Sequence, residues 1–355
     1  MSRVFETIIR PILFGLPAET AHELGLEALK LGLVRPWAGG RVVDPRIGPL
    51  RRFGLEFNNP LGVAAGFDKN ARVVNELAGL GFGFVEVGTV TLRPQPGNEK
   101  PRLFRLPKDG ALLNRLGFNN DGAVEVARRL EKLERRCIVG VNIGRNKDVD
   151  NEDAAANYIA AFDILQPLAD YVAINVSSPN TPNLRELQRS ENLVELLSAI
   201  QDRNQQLTPR PLLVKIAPDL TEHELRSIVQ ACIELGIDGL IATNTTVSRE
   251  GLAAQNVESL GAGGISGRPL RERSTSVVAA VQKIAAGRLP VIGVGGIFDA
   301  ADAFEKIAAG ASLVQAYTGF VFGGPGFPGA VNAGLAEMVS ARGYDSIDEA
   351  VGSAA

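Results

Sequence analysis

The sequence predicts a single (β/α)8 barrel, and three observations carry that prediction. Short apolar, β-branched runs recur eight times along the chain, and most are separated by helical patterns. The runs are apolar on both faces, as strands of a covered parallel sheet are. At 355 residues the chain exceeds an ordinary domain, but such barrels run past about 250 residues as one unit. The runs are LGVAAG (61–66), FGFVEVGTV (82–90), CIVGVNIG (137–144), YVAINVSSP (171–179), LLVKIAP (212–218), GLIATNT (239–245), VIGVGG (291–296) and SLVQAYTG (312–319). Segments such as ELRSIVQACIELG and ADAFEKIAAG supply helices between them, several stopped by Gly. Eight alternating units predict a closed barrel. An open doubly wound sheet shares the alternation and stays the alternative on pattern alone.

Two segments fall outside the eight units. Residues 91–136 form a long insertion after the second run, rich in Pro, Arg and Asn. Over 93–115 it carries Arg93, Lys100, Arg102, Arg105, Lys108 and Arg115 against Glu99 and Asp109. It reads either as a solvated loop or as a lid over an anionic site. The other segment is residues 1–40, read as an N-terminal helical extension ahead of a barrel over 41–345 and a tail over 346–355. From 18 to 33 it patterns as a helix, with Ala21, Leu24, Ala28 and Leu31 along one face and Glu19, Glu23, Glu27 and Lys30 along another. That helix packs on the barrel or lies on a membrane surface.

Composition narrows the function classes. Apolar residues make up 45 % and charged ones 22 %, which excludes a disordered or fibrous chain. A net charge of −3 argues against a general nucleic-acid binder. Cys137 and Cys232 lack the spacing of a metal or redox pair, as suits a reduced, intracellular protein. With only His22 and His223, no histidine-built metal site is expected. No run of 18 apolar residues spans a bilayer, and the start lacks a signal peptide's features.

Barrel active sites sit at the C-terminal ends of strands, so the ends of the runs are the place to look. The first ends in Ala64, Ala65, Gly66, Phe67, Asp68 and Lys69, small residues that admit a flat ligand, followed by a cation. The third and fourth carry Asn142 and Asn175; the fifth carries Lys215; the sixth ends in Thr243, Asn244 and Thr245. Amide groups and two ammonium charges suit a heteroaromatic ligand with imide edges and an anionic substrate. The last two runs end in Gly293 to Gly296 and in Tyr317, Thr318 and Gly319, where Gly-rich loops cradle phosphate in many barrels. Gly263 to Gly267 offers further backbone donors. In Asn175-Val176-Ser177-Ser178-Pro179-Asn180-Thr181, no His or Asp lies near the serines, so they are not a hydrolase nucleophile. The segment is either a capping loop or a weak base beside a strong electron sink.

Together these strings resemble the quinone-dependent, membrane-associated class 2 dihydroorotate dehydrogenases. The strings are AAGFDKN, GFVEVGTVTLRPQPGNEKPRLFRL, NRLGFNN, IGRNKD, YVAINVSSPNTPNLR, VKIAPDL, ATNTT, GGISGRPL, GVGGI and AYTGF, in family order over 61–320. The 1–40 segment, with its Ala21-His22-Glu23 string, resembles the extra domain of that class. The resemblance implies oxidation of (S)-dihydroorotate to orotate in pyrimidine (UMP) biosynthesis, with one FMN per chain and electrons passed to ubiquinone or menaquinone. It implies FMN contacts from Ala64, Ala65, Gly66, Phe67, Asp68, Thr89, Asn142, Asn175, Lys215, Thr243, Gly267, Gly296, Tyr317 and Thr318. Substrate contacts fall to Lys69, Asn114, Arg115, Leu116, Gly117, Phe118, Asn175, Asn180, Asn244 and Thr245. Ser178 matches the catalytic base, Thr181 and Phe118 match positions tied to its proton relay, and His22, with Arg10 or Arg102 more loosely, faces the quinone. The class also implies a monomer held peripherally at the cytoplasmic face of the bacterial inner membrane through 1–40, with no bound metal or nucleic acid. Phe67 departs from the family's Leu. The rival readings are a Schiff-base aldolase on Lys215, a non-catalytic flavin or phosphate barrel, and a class 1 enzyme, which would carry Cys in place of Ser178.

Overall fold

The computed structural model describes residues 4–34, 36, 43–254 and 257–355. Eight parallel strands close into a ring in chain order: β1 (Leu61–Val63), β2 (Phe84–Val90), β3 (Ile138–Ile143), β4 (Tyr171–Asn175), β5 (Leu212–Ile216), β6 (Gly239–Ala242), β7 (Val291–Val294) and β8 (Ala311–Ala316). Pairing of Val314 in β8 with Leu61 in β1 completes the ring, so the open sheet is excluded. All eight strands fall within a run expected from the sequence or begin one residue ahead of it. Their ends differ because the last residues of each run leave the ladder to line the upper face. Register fixes what meets there: Asn175 sits opposite Lys215, and Asn142 opposite Ala173.

The interior is a packed core, and its fit is specific. A Cβ on Gly140 would lie 2.0 Å from Cζ of Tyr171, so the β3 glycine makes room for the neighbouring ring. Outside run α1 (Val74–Leu80), α2 (Ala123–Glu131), α3 (Ala154–Leu165), α4 (Ser190–Gln206), α5 (Glu222–Glu234), α6 (Arg271–Ala285), α7 (Ala300–Ala308) and α8 (Phe327–Ala341). α5 starts on a reciprocal Thr221/Glu224 cap and α7 on an Asp299 cap. A hairpin of Leu50–Arg52 with Leu55–Phe57 closes the lower end, where Phe57 meets Phe84 edge-on. Residues 346–355 pack beside it, with Ile347 and Ala350 buried and Asp348 paired to Arg52.

The insertion differs from both of its expected forms. Leu103–Leu106 and Ala111–Asn114 form a hairpin, extended antiparallel by Gly264–Gly267, and the remainder holds α2, a regular barrel helix. Five of its six basic residues over 93–115 are occupied rather than turned toward an anion in the cavity. Arg93 pairs with Asp148, Arg102 and Lys100 with Glu19, while Arg105 and Arg115 donate to backbone carbonyls. The N-terminal helix runs over Ala18–Lys30, shorter than the expected 18–33. Its acidic face is turned inward: Glu19 meets Arg102 at 2.7 Å, and Arg72 joins both Glu23 and Glu27. Of the expected apolar face, Ala21 and Ala28 line a cavity, whereas Leu24 and Leu31 are 48 % and 71 % exposed. The expected boundary at 40/41 lies outside the described residues.

Candidate active site

A cavity of about 1020 Å³, counting its open mouth, occupies the C-terminal ends of the strands. Ala64, Ala65, Gly66 and Lys69 bring the end of β1 to its wall. Phe67 and Asp68 of the same loop turn away. Phe67 packs edge-on against His22 and Tyr317, with ring centres 5.1 and 5.8 Å apart. The Asp68 carboxylate is buried and accepts the N–H groups of Asn70, Arg72 and Val73, which caps the loop and presents Lys69. Burial raises its pKa against those bonds. Asp68 thus shapes the site without lining it. Burial also lowers the Lys69 ammonium to about 8, opposed chiefly by the carboxylates of Glu23 and Glu19.

A ladder of amides crosses the floor. Thr89 Oγ1 donates to Asn142 Oδ1 at 2.6 Å, and Asn175 Nδ2 donates to both, at 2.8 and 3.2 Å. Asn142 stands behind this row and reaches the cavity only through its partners. Asn244 Nδ2 donates to Ser177 Oγ at 3.0 Å and Asn175 Oδ1 at 3.3 Å. Asn180 Nδ2 donates to Asn114 Oδ1 at 3.1 Å, joining the loop after β4 to the insertion hairpin. The Asn180 N–H donates to Ser178 Oγ at 3.2 Å, and Ser178 lines the cavity at 5 % exposure. No histidine or carboxylate bonds to Ser178 among the described residues. Thr181 is buried just behind the wall, and its Oγ1 has no partner among them.

Thr243, Thr245, Gly267, Gly296, Tyr317 and Thr318 complete the far wall, with Leu116, Gly117 and Phe118 on the insertion side. Gly296 has φ +73°, and a Cβ there would lie 2.4 Å from Cβ of Arg271; only glycine lets the backbone pass. Arg115 is the clear departure from expectation: its guanidinium lies over the Phe104 ring and bonds the Ala262 carbonyl, away from the cavity. Ser266 and Gly295, from the glycine segments the sequence offered as backbone donors, also line the cavity. Several contributors were not expected from sequence: Gln315, Leu103 and Leu112 line the cavity, and Glu86 sits 3.5 Å from the buried Lys215 ammonium. Arg185 bonds the carbonyls of Ser177 and Thr245 while pairing with Asp219, which ties the loops after β4 and β6 together. Its only sequence signal was its place at the end of the SSPNTPNLR string.

A second, apolar cavity of about 1310 Å³ lies between the N-terminal helices and the barrel, walled by residues such as Phe5, Leu13, Ala21 and Val321. It shares Leu103, Leu112 and Tyr317 with the first. His22 is on its wall, with the ring pushed down to about 3 by burial and then by the Lys69 charge. Its Nε2 has no partner among the described residues. Arg10 and Arg102 do not join it: the first bonds the Phe322 carbonyl, the second Glu19.

Fold and site define a closed barrel with a cavity lined by amides and hydroxyls at its upper face and an apolar cavity against it. A family model described as dihydroorotate dehydrogenase matches residues 50–339. A dihydroorotate dehydrogenase (quinone) of Anaeromyxobacter dehalogenans (strain 2CP-C) is 49 % identical over 351 residues, 97 % of this chain and 95 % of that protein. One from Roseiflexus sp. (strain RS-1) is 48 % identical over 353 residues, covering 97 % of each. The crystal structure of a DHODH from Eimeria tenella in complex with ferulenol aligns with a TM-score of 0.89 at 40 % identity, over 94 % of this chain and 95 % of that one. The chain belongs to the dihydroorotate dehydrogenase family. Its activity is the oxidation of dihydroorotate to orotate in pyrimidine biosynthesis. Among the described residues, no helix is long and apolar enough to cross a membrane.

Proposed function

We propose that the polar cavity holds one FMN together with dihydroorotate, and that the apolar cavity admits a membrane quinone. The observation that carries the reading is the shared wall: Leu103, Leu112 and Tyr317 belong to both cavities, so an electron carrier in the first lies against an apolar ligand in the second. Unspent groups in the polar cavity fit a heteroaromatic guest. Gln315 Oε1 and Thr245 Oγ1 are buried there without partners among the described residues, beside amides that present both donors and acceptors. Lys215, Thr89, Asn175, Thr243 and the glycine loops at 267 and 296 would hold the FMN, with Asn142 supporting from behind. When bound, FMN supplies the acceptor for the hydride that leaves C6 of dihydroorotate.

The chain's own residues do the rest. Lys69 pairs with the substrate carboxylate, and Asn114, Asn175, Asn180 and Asn244 match the alternating N–H and C=O edge of the pyrimidine ring. Ser178 Oγ accepts the C5 proton as the C6 hydride leaves and gives up its own hydroxyl proton, which passes to solvent with the buried Thr181 hydroxyl as the candidate carrier. A serine is a weak base, so the site must keep bulk water from the reacting carbon; Phe118 and Leu116 serve there. Leu24, Leu31, Ile8 and Ile12 are exposed while Glu19, Glu23 and Glu27 pair with Arg102 and Arg72 of the barrel. That inversion supports docking of this segment on a membrane surface, cytoplasmic in a bacterium, beside the mouth of the apolar cavity. An anaerobic titration tests the whole reading. Dihydroorotate is expected to bleach the bound flavin and a quinone to restore its colour; a protein that purifies without flavin, or stays yellow with substrate, refutes it.

A further inference from the structure

Beneath the floor of the polar cavity lies a carboxylate that the reading above leaves idle. Glu86 on β2 is fully buried, at 0 % exposure. Its Oε1 accepts from Asn142 Nδ2 at 2.9 Å and from Lys215 Nζ at 3.5 Å. Its Oε2 accepts from Gln315 Nε2 at 2.8 Å and from Tyr171 Oη at 3.0 Å. Four donors from β3, β5, β8 and β4 therefore converge on one side chain. An ionised carboxylate accepts only, and the two amides, the ammonium and the Tyr171 hydroxyl can all donate to it. Burying such a charge is costly where apolar residues fill the remaining barrel interior, and removing one partner of a buried pair costs more than the pair returns.

Lys215 and Gln315 are walls of the cavity, and Asn142 supports Thr89 and Asn175 on its floor. Glu86 touches the contents of the cavity nowhere and touches three of the groups that do, or that hold those that do. We propose that Glu86 is a positioning residue of the flavin site, anchoring Lys215 so that the bound ring meets an ion pair rather than a free cation. The inference rests on the FMN reading above. With the carboxylate present, the pair's net charge is zero and the ring gains little from the ammonium when it accepts electrons. With the carboxylate neutralised, the full positive charge acts on the electron-rich ring and favours it.

The test is the equilibrium between the holoenzyme flavin and a reference dye, measured anaerobically at pH 7. The flavin released from wild-type protein is quantified first; wild type without FMN overturns the flavin reading and this inference together. Given FMN, Glu86→Gln is expected to shift the reduced-to-oxidised ratio toward the reduced flavin by about tenfold, or ~30 mV for a two-electron couple. Glu86→Asp, which keeps the charge, should return most of that shift. Placed in a Lys215→Gln background, Glu86→Gln should shift the ratio less, because no ammonium remains for the carboxylate to position. A purely structural role would lower melting temperature and leave the ratio alone. An unchanged or oxidised-shifted ratio in Glu86→Gln, or the same shift without Lys215, overturns the inference while leaving FMN binding intact. Should Glu86→Gln yield no soluble protein, Tyr171→Phe decides: with one donor fewer, the carboxylate binds Lys215 more strongly and the ratio moves toward the oxidised flavin. No movement there overturns it.

Discussion

Lys69 offers the most direct quantitative test of the substrate site. Burial holds its ammonium at about 8, well below an ordinary lysine, because Glu23 and Glu19 recover only part of the lost hydration. The sign follows: a lysine with a lowered pKa is charged below that value and neutral above it. Pairing with the carboxylate of dihydroorotate or orotate needs the charged form, so binding by the free enzyme is level near pH 6.5–7 and weakens through pH 8. At pH 9.5 only about 3 % of the enzyme carries the proton, so the orotate Kd rises roughly 30-fold, about 2 kcal/mol. Replacing the side chain in Lys69→Met removes the charge-assisted bond at every pH, costing ~1.5–3 kcal/mol at pH 7. The assay is an orotate titration of the holoenzyme, followed by the flavin absorbance at constant ionic strength. The variant also reports any titration of the ligand itself. Equal slopes for wild type and Lys69→Met between pH 7.5 and 9.5 would refute the reasoning.

Three further outcomes follow from the same geometry. Ser178→Ala should retain FMN and orotate binding while slowing flavin reduction by dihydroorotate by about 10²–10⁴-fold in stopped flow at neutral pH; a wild-type rate removes Ser178 as the base. Leu24→Glu with Leu31→Glu places two charges on the exposed apolar strip, and losing the insertion of two leucines into the bilayer surface, at ~1.5 kcal/mol each, predicts about 100-fold weaker partitioning to vesicles with soluble-quinone turnover retained. Unchanged vesicle binding would move the docking surface elsewhere. Lys306 is fully buried, bonds Ser274 and Thr275 hydroxyls, and is pushed down to about 7 by burial. Its folded pKa lies below the unfolded one, so wild type gains stability as pH rises from about 7 to about 10.5. Lys306→Met should therefore raise Tm most below pH 7, with the gain shrinking across that window; a pH-independent change in Tm refutes this.

Much of the molecule was legible because each barrel unit obeys a local rule. A buried parallel strand is apolar on both faces, a helix follows, and the strand's last polar residue faces the site, so Asn175, Lys215 and Thr243 could be placed from pattern and position alone. What was not legible lies in the third dimension. The resemblance implies an FMN contact for Asp68, yet its carboxylate is consumed by three N–H groups of its own loop. Arg115 falls in a motif with Leu116 and Gly117, but strand alternation sends its side chain to the opposite face from Asn114. Glu86 was hidden in plain view: a lone acid in the run FGFVEVGTV is conspicuous, but its four donors come from residues 56 to 229 positions away. The N-terminal helix left two placements open, on the barrel or on a membrane surface, because the arginines that take its acids, Arg72 and Arg102, lie far along the chain.

The insertion hairpin shows how one register serves two chemistries. Leu103 pairs with Asn114 and Arg105 with Leu112, so these four side chains share a face. That face looks onto the cavities: Leu103, Leu112 and Asn114 line the polar one, and Leu103, Leu112 and Arg105 the apolar one. The other face, with Phe104, Leu106, Ala111 and Leu113, packs a small separate core with Val257 and Ile265. A slip of one residue in this pairing would turn Phe104 and Leu113 toward the cavities and bury Arg105 and Asn114 in the small core, with no partner for their polar atoms. The satellite core is therefore what keeps the partition between the cavities in place. Asn114 is held at the polar cavity and Arg105 at the side of the N-terminal helices, where it bonds the carbonyls of Leu13 and Leu16. The same two-residue period that gives the hairpin its core gives the polar cavity an amide and the apolar cavity a cation at its rim.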